Sequence, residues 1–176
     1  MKYLALILIL TSFNSLAIQE PKSSVFLEYS PAEASFNNGY ITNIDTYQVG
    51  HNMYFTNNLS TRFSFGMGKG SEPVLINDTN SNETARLKYM ISLDLRYELP
   101  FTNSFSTYAF FGATSYDLKT ENDILNIREH GVGLKAGFGI SYVMSKNTAI
   151  YTEVKQDVFT NNFEIESYSI GFKYAY

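Results

Sequence analysis

The chain contains no cysteine and no tryptophan, only two histidines and four prolines, and no long apolar run after its first few residues. Each absence excludes something. Without cysteine there is no disulfide, no thiolate nucleophile and no attachment point for a lipoprotein acyl chain, so an exported form must be stabilised by non-covalent means alone. With 13 basic against 17 acidic side chains and a formal net charge of −4, the chain lacks the basic face expected of a nucleic-acid binder. Two isolated histidines provide no cluster for a metal, and nothing in the sequence implies a cofactor. Beyond residue 17, no segment approaches the roughly 20 apolar residues of a membrane-spanning helix.

What is present is aromatic: fourteen tyrosines and fourteen phenylalanines in 176 residues. The length corresponds to one domain, and no Pro, Ser or Gly-rich stretch divides it. Residues 1–17 stand apart. Lys2 precedes the apolar run Leu4 to Leu10, polar residues follow, and Ser15-Leu16-Ala17 supplies the small residues of a cleavage site. This is the pattern of a secretory signal peptide, cut after Ala17, and the run is too short for a membrane anchor. Residues 18–176 are the expected mature domain.

Along that domain apolar residues recur with period two, the spacing of a strand with one apolar face. Leu87, Tyr89, Ile91, Leu93, Leu95, Tyr97 and Leu99 alternate with Arg86, Lys88, Met90, Ser92, Asp94, Arg96 and Glu98. Val132 to Met144 alternates with Gly131, Gly133, Lys135, Gly137, Gly139 and Ser141, and Leu59 to Met67 with Ser60, Arg62, Ser64 and Gly66. Weaker alternation covers Val25–Tyr29, Tyr47–Phe55, Tyr108–Leu118 and Ile150–Val158, and a final stripe carries Tyr168, Ile170, Phe172, Tyr174 and Tyr176. The spacing predicts eight strands, the best of them far longer than the usual five or six residues.

Short Asn-bearing connectors at 57–58, 100–104 and 145–147 alternate with longer polar stretches at 31–40, 69–84, 119–128 and 160–163. This pattern predicts an all-β, up-and-down antiparallel meander, closed so that no edge is exposed. Closure admits two arrangements: a soluble barrel with its apolar face around a ligand, or a transmembrane barrel with that face toward lipid. Three features favour the second. The polar face is rich in glycine and serine, and it carries Arg62, Arg86, Lys88, Asp94, Arg96, Glu98, Lys135, Glu153, Lys155, Asp157 and Lys173. Small residues and paired charges suit a narrow interior. Aromatics gather near strand ends, with Tyr47, Phe65, Tyr116 and Phe163 toward the long connectors and Phe55, Phe101, Phe105, Tyr142, Tyr174 and Tyr176 toward the turns, as in the two girdles of a membrane barrel. Finally, the Gly-x-Trp motif of lipocalins is absent. On this assignment Leu93→Arg should be far more damaging than Ser92→Arg.

The signal MKYLALILILTSFNSLA, the alternations ARLKYMISLDLRYEL and GVGLKAGFGISYVM, and the ending SYSIGFKYAY together resemble the small eight-stranded outer-membrane proteins of Gram-negative bacteria, the OmpA/OmpX-type barrel group. The resemblance spans residues 23–176. It implies residence in the outer membrane among its lipids and lipopolysaccharide. It also implies that Tyr168, Ile170, Phe172, Tyr174 and Tyr176 form the insertion signal read by the barrel-assembly machinery, with Tyr176 in the place of the commoner final Phe.

Enzymatic readings find little support. Barrels that deacylate lipid A carry His-x-Ser with a nearby Glu, whereas here the histidines stand in His51-Asn52-Met53 and His130-Gly131-Val132. The amphipathic helix that opens palmitoyl-transferring barrels has no counterpart in residues 18–24. Eight strands leave an interior that side chains fill, so the listed charges read as a lumen network, narrowed by Phe111, Tyr151, Tyr54 and Met90. The expectation is a monomeric, non-enzymatic barrel acting structurally or through surface loops, with 70–83 and 119–126 as candidate contacts for a surface ligand. The alternative is a narrow porin-like pore, and a lipid A-modifying enzyme is the third reading. Two Asn-x-Thr triplets, at Asn77 and Asn82, are read as loop composition.

Overall fold

The computed structural model describes residues 23–36, 40–76, 79–120, 128–159 and 163–176. The expected signal peptide lies outside them, as does most of the connector expected at 119–128. Eight strands follow one another: β1 (Ser23–Phe36), β2 (Tyr40–Tyr54), β3 (Leu59–Ile76), β4 (Thr79–Pro100), β5 (Phe105–Thr120), β6 (Arg128–Val143), β7 (Thr148–Phe159) and β8 (Phe163–Ala175). Each pairs antiparallel with its sequence neighbour, and β8 returns to β1 to close the barrel, with Val25 opposite Tyr174 and Phe36 opposite Phe163.

The short connectors between β2 and β3, β4 and β5, and β6 and β7 lie together at one end, here the turn end. Each holds a hydroxyl residue, Thr56, Thr102 or Ser145. The Thr56 Oγ1 accepts from the backbone N–H of Asn58 and Leu59 at 3.2 and 3.0 Å, and Thr102 repeats this with Ser104 and Phe105. Local side-chain acceptors of this kind satisfy donors that the ladder cannot reach. The last residue of each turn then holds the next hairpin: the carbonyls of Asn58, Ser104 and Asn147 accept from the N–H of Glu98, Val143 and Ala175 at 2.7–2.8 Å.

At the opposite end, here the hairpin end, the stretches 31–40 and 69–84 are not long loops. β1 runs to Phe36 and β2 starts at Tyr40, while β3 runs to Ile76 and β4 starts at Thr79. The reason is an inversion of the alternation. Toward the turn end Val25, Leu27, Val49, Phe63, Leu93 and Leu134 face outward and are exposed. Toward the hairpin end the outward positions are polar, as at Glu33, Asn43, Asp45, Glu164 and Glu166, while Ala32, Ala34, Ile44 and Ile165 are buried inside. Polar composition there marks a strand bathed by water outside, and the same composition reads as loop when only one face is considered.

Three further expectations are corrected. Phe111 faces outward, 58% exposed, whereas Tyr108 and Phe110 are inside. The Phe110-Phe111 pair suits either parity, and Gly112 decides it: Asp94 and Lys135 are its cross-strand neighbours, their side chains bridge at 3.1 Å, and a Cβ on Gly112 would overlap Asp94. Tyr116 and Phe163 are fully buried in the interior and belong to no girdle. Leu87 is buried as well, for the reason given below. The girdle at the turn end stands as expected, with Phe55, Phe101, Phe105, Tyr142, Tyr174 and Tyr176 all exposed.

Candidate functional site

The interior is stacked in two layers. Nearest the turn end is a charged layer, built because β1, β3, β4, β6, β7 and β8 each turn ionisable residues inward. Arg62 is its centre. Its guanidinium donates to Glu153 at 2.5 Å and to Glu28, and it lies 4.0 Å from the centroid of the Phe26 ring. Lys155 donates to Glu28 as well. The hydroxyls of Tyr108 and Tyr151 donate to Glu153 and Glu28 at 2.9 and 3.0 Å, and Ser30 donates to Glu28 at 2.9 Å. A second group joins Arg96 to Glu98 at 2.8 Å, with Ser106 donating to the same carboxylate, Lys173 3.9 Å away, and Arg96 stacked 3.4 Å over Tyr108. A third pairs Lys135 with Asp94, with Asp157 directly across from Lys135 in the ladder.

Among the described residues the charges of this layer balance. Glu28, Asp94, Glu98, Glu153 and Asp157 face Arg62, Arg96, Lys135, Lys155 and Lys173, and all but the half-buried Lys173 are sealed from solvent. Desolvated ions of this kind persist only with close partners of opposite sign. Inward glycines make room for the rings: a Cβ on Gly139 would overlap Tyr108, and one on Gly171 would overlap Tyr151.

Toward the hairpin end the interior becomes apolar. Tyr116 packs on Phe159 and Phe163 with centroids 4.1 and 5.0 Å away, Phe159 stacks on Phe163 at 5.3 Å, and Phe36 covers Phe163 at 4.6 Å. Leu87, Leu118, Ile44 and Ile165 complete this plug.

Arg86 and Lys88, expected in the lumen, are outside it. β4 carries a bulge between Leu87 and Tyr89 relative to both neighbours. The extra residue reverses the parity beyond it, so Leu87 enters the plug while Arg86 and Lys88 are exposed. A bulge re-aims side chains in this way, and the unbroken alternation of ARLKYMISL carries no sign of it. Glu28, conversely, is absent from the residues that the alternation singles out, although Val25-Phe26-Leu27-Glu28-Tyr29 places it on the inward parity. Its run is short and Phe26 obscures the polar face.

The histidines are far from this centre. His51 faces outward near the turn end, 3.1 Å from the Tyr176 hydroxyl; His130 is exposed at the hairpin end, opposite Asp117. Among the described residues no group of His, Asp and Glu could hold a metal. The stripe Tyr168, Ile170, Phe172, Tyr174 and Tyr176 lies entirely on the outer face, each residue exposed.

An outward apolar band below a polar collar, around a charged interior, defines a membrane barrel, and comparison with known proteins agrees. The family model of the outer membrane protein beta-barrel domain matches residues 4–175. The chain belongs to that family and resides in the outer membrane of Gram-negative bacteria. No curated protein matches it by sequence. Similar solved structures include neisserial surface protein A, 14% identical with a TM-score of 0.74, covering 90% of this chain and 100% of that one. Another is Ail, the attachment invasion locus protein of Yersinia pestis, in complex with the heparin analogue sucrose octasulfate, 17% identical, TM-score 0.63, covering 90% and 100%. A third is the N-terminal barrel domain of Pseudomonas aeruginosa OprF, 14% identical, TM-score 0.58, covering 89% and 100%. At these identities the likeness concerns the fold.

Proposed function

We propose that this protein is a monomeric, non-enzymatic outer-membrane barrel with a self-sealed lumen, acting structurally or through the surface it presents beyond the membrane. The observation that carries this reading is the filled interior, where a neutral layer of buried ion pairs is backed by the Tyr116–Phe159–Phe163 plug. Two layers of different chemistry in series, both filled by side chains among the described residues, support a lumen closed to solute. The surface role draws on the long β1–β2 and β3–β4 hairpins, the second of which carries residues 70–83 as β-structure up to Ile76 and again from Thr79. Connecting segments held on a rigid scaffold are where binding residues concentrate. Ail is the attachment invasion locus protein of Yersinia pestis, and adhesion is the surface role tested first. The candidate contact 119–126 lies largely outside the described residues. In this reading the outward stripe ending at Tyr176 is the insertion address for the barrel-assembly machinery.

Planar-bilayer recording tests the seal. The purified barrel is expected to give no conductance above the detergent control, and steady unitary steps would establish the narrow-pore reading instead. Adhesion is tested by attachment of cells expressing the barrel to extracellular-matrix and host-cell surfaces, with deletion of residues 71–83 expected to abolish it.

A further inference from the structure

The seam between β1 and β8 joins the two ends of the barrel, and opening it would leave a sheet with two free edges. Its pairing is interrupted. It runs from Ser24 opposite Ala175 to Tyr29 opposite Ile170, then resumes with Ala32 opposite Ser167. Pro31 lies in the interruption. The Ser23 carbonyl accepts from the Tyr176 N–H at 3.1 Å, so its backbone faces β8. Backbone groups of a strand face its two neighbours alternately, which turns Pro31, on the same parity, toward β8 as well. Proline has no N–H to give to that rung. The turn-end part of the seam is thereby separated from the pairing above it and must be held from below.

One hold comes from the neighbouring turn, where Asn147 takes both backbone groups of Ala175: its carbonyl accepts from the Ala175 N–H and its Nδ2 donates to the Ala175 carbonyl, each at 2.7 Å. The other lies on the outer face and reaches across β1. His51 of β2 places its Nε2 3.1 Å from the Tyr176 hydroxyl, with ring centroids 6.3 Å apart. The strand between them is β1, on which Val25 stands opposite His51 on one side and Tyr174 on the other. β8 cannot leave β1 without breaking this contact.

The setting makes the bond matter. His51 is half-buried among outward apolar side chains, Val49 and Met53 on its own strand and Val25 and Phe63 opposite. A polar group beside lipid is costly without a partner. A hydroxyl can donate to a ring nitrogen or accept from it, so His51 and Tyr176 satisfy one another in either tautomer. Phenylalanine at position 176 would keep the ring and lose the bond. We propose that His51 and Tyr176 form a clasp across β1 that holds the turn-end part of the closing seam shut. His51 is a positioning residue for β8, and the terminal tyrosine has a role after closure that a terminal phenylalanine cannot fill. This inference rests on the barrel fold in the membrane, independently of the terminal stripe as an insertion address.

The test uses the full chain folded into phosphatidylcholine nanodiscs, with hydrogen–deuterium exchange read on segments 23–29 and 170–176. Tyr176→Phe and His51→Leu are each expected to speed exchange there about fivefold, the effect of one lost hydrogen bond, and the double variant no more than either alone. Exchange across β4 and β5 is expected to stay as in the wild type, whereas a general loss of stability would raise it too. His51→Gln, whose amide can still bond the hydroxyl, should keep most of the protection. Wild-type exchange in Tyr176→Phe, or additive effects in the double variant, overturns the proposal. The gel shift between unheated and boiled samples checks folding. If Tyr176→Phe lacks it, the comparison of His51→Leu with His51→Gln decides, and equal exchange in those two overturns the proposal. The nanodiscs hold no assembly machinery, so a failure of the insertion-address reading, seen as normal assembly in cells of a chain lacking Tyr176, leaves this result standing.

Discussion

Glu28 accepts hydrogen bonds from Arg62, Lys155, Tyr151 and Ser30, about as many as the two oxygens of a carboxylate can take. Glu28→Gln removes the charge that faces two buried cations, and the expected cost is about 3–5 kcal/mol, measured as a lower midpoint of urea-induced unfolding in lipid. Replacing Glu28, Arg62, Glu153 and Lys155 together by apolar residues should cost far less, since no charge is then left without its partner. On the outer face Leu93 is 59% exposed, and Leu93→Arg is expected to cost about 2–4 kcal/mol near the bilayer midplane, with Leu93→Phe close to neutral in the same assay. The structure revises the comparison with Ser92. That side chain is buried and bonded to Thr114 at 3.0 Å, so Ser92→Arg is damaging through overpacking, and Ser92→Ala, at about 1 kcal/mol, is the mild substitution.

At the level of elements, the three turns are copies of one device. Thr56, Thr102 and Ser145 each cap their own turn, and Asn58, Ser104 and Asn147 each hold the neighbouring hairpin. Thr102→Ala removes both acceptor contacts at the β4–β5 turn, and a loss of about 1 kcal/mol is expected, read as slower refolding into vesicles or a lower unfolding midpoint. The recurrence was legible in the sequence as short Asn-bearing connectors, whereas their equal extent, 55–58, 101–104 and 144–147, is set by the strand ends in the structure. The β4 bulge was not legible. Its signal would have been a glycine or a break in alternation, whereas Arg86-Leu87-Lys88-Tyr89 alternates without fault and both parities offer acceptable burial: Leu87 to the plug, or Arg86 to the lumen. Neighbouring strands settle it, because Gly68 opposes Leu87 while Gly66 opposes Met90, leaving one residue too many in β4.

For the whole molecule the decisive feature is the inversion of faces partway up the wall. Below, lipid takes the apolar side and the interior is ionic; above, water takes the polar side and the interior is aromatic. The two seals are therefore independent, and their removal is expected to be non-additive. Tyr116→Ala, Phe159→Ala and Phe163→Ala together should leave the bilayer silent because the Arg62 layer persists. Alanine at Glu28, Arg62 and Glu153 should also leave it silent because the plug persists. Conductance is expected only when both sets are combined, in protein that still shows the gel shift.

Strand number, the outward face of the membrane band and most of the inward charges follow from local period-two spacing, because in a strand the side that a residue faces depends only on its parity. That is why the sequence alone determined a closed eight-stranded barrel with a charged lumen. The composition of the central cluster needed the fold. Arg62 meets Glu28 across 34 residues and Glu153 across 91, and Lys155 meets Glu28 across 127. Such contacts depend on the stagger with which β8 returns to β1, just as the exposure of Arg86 and Lys88 depends on one extra residue in β4. Both are properties of the closed sheet, where each strand's register is set by its two neighbours together, and no local stretch of sequence contains them.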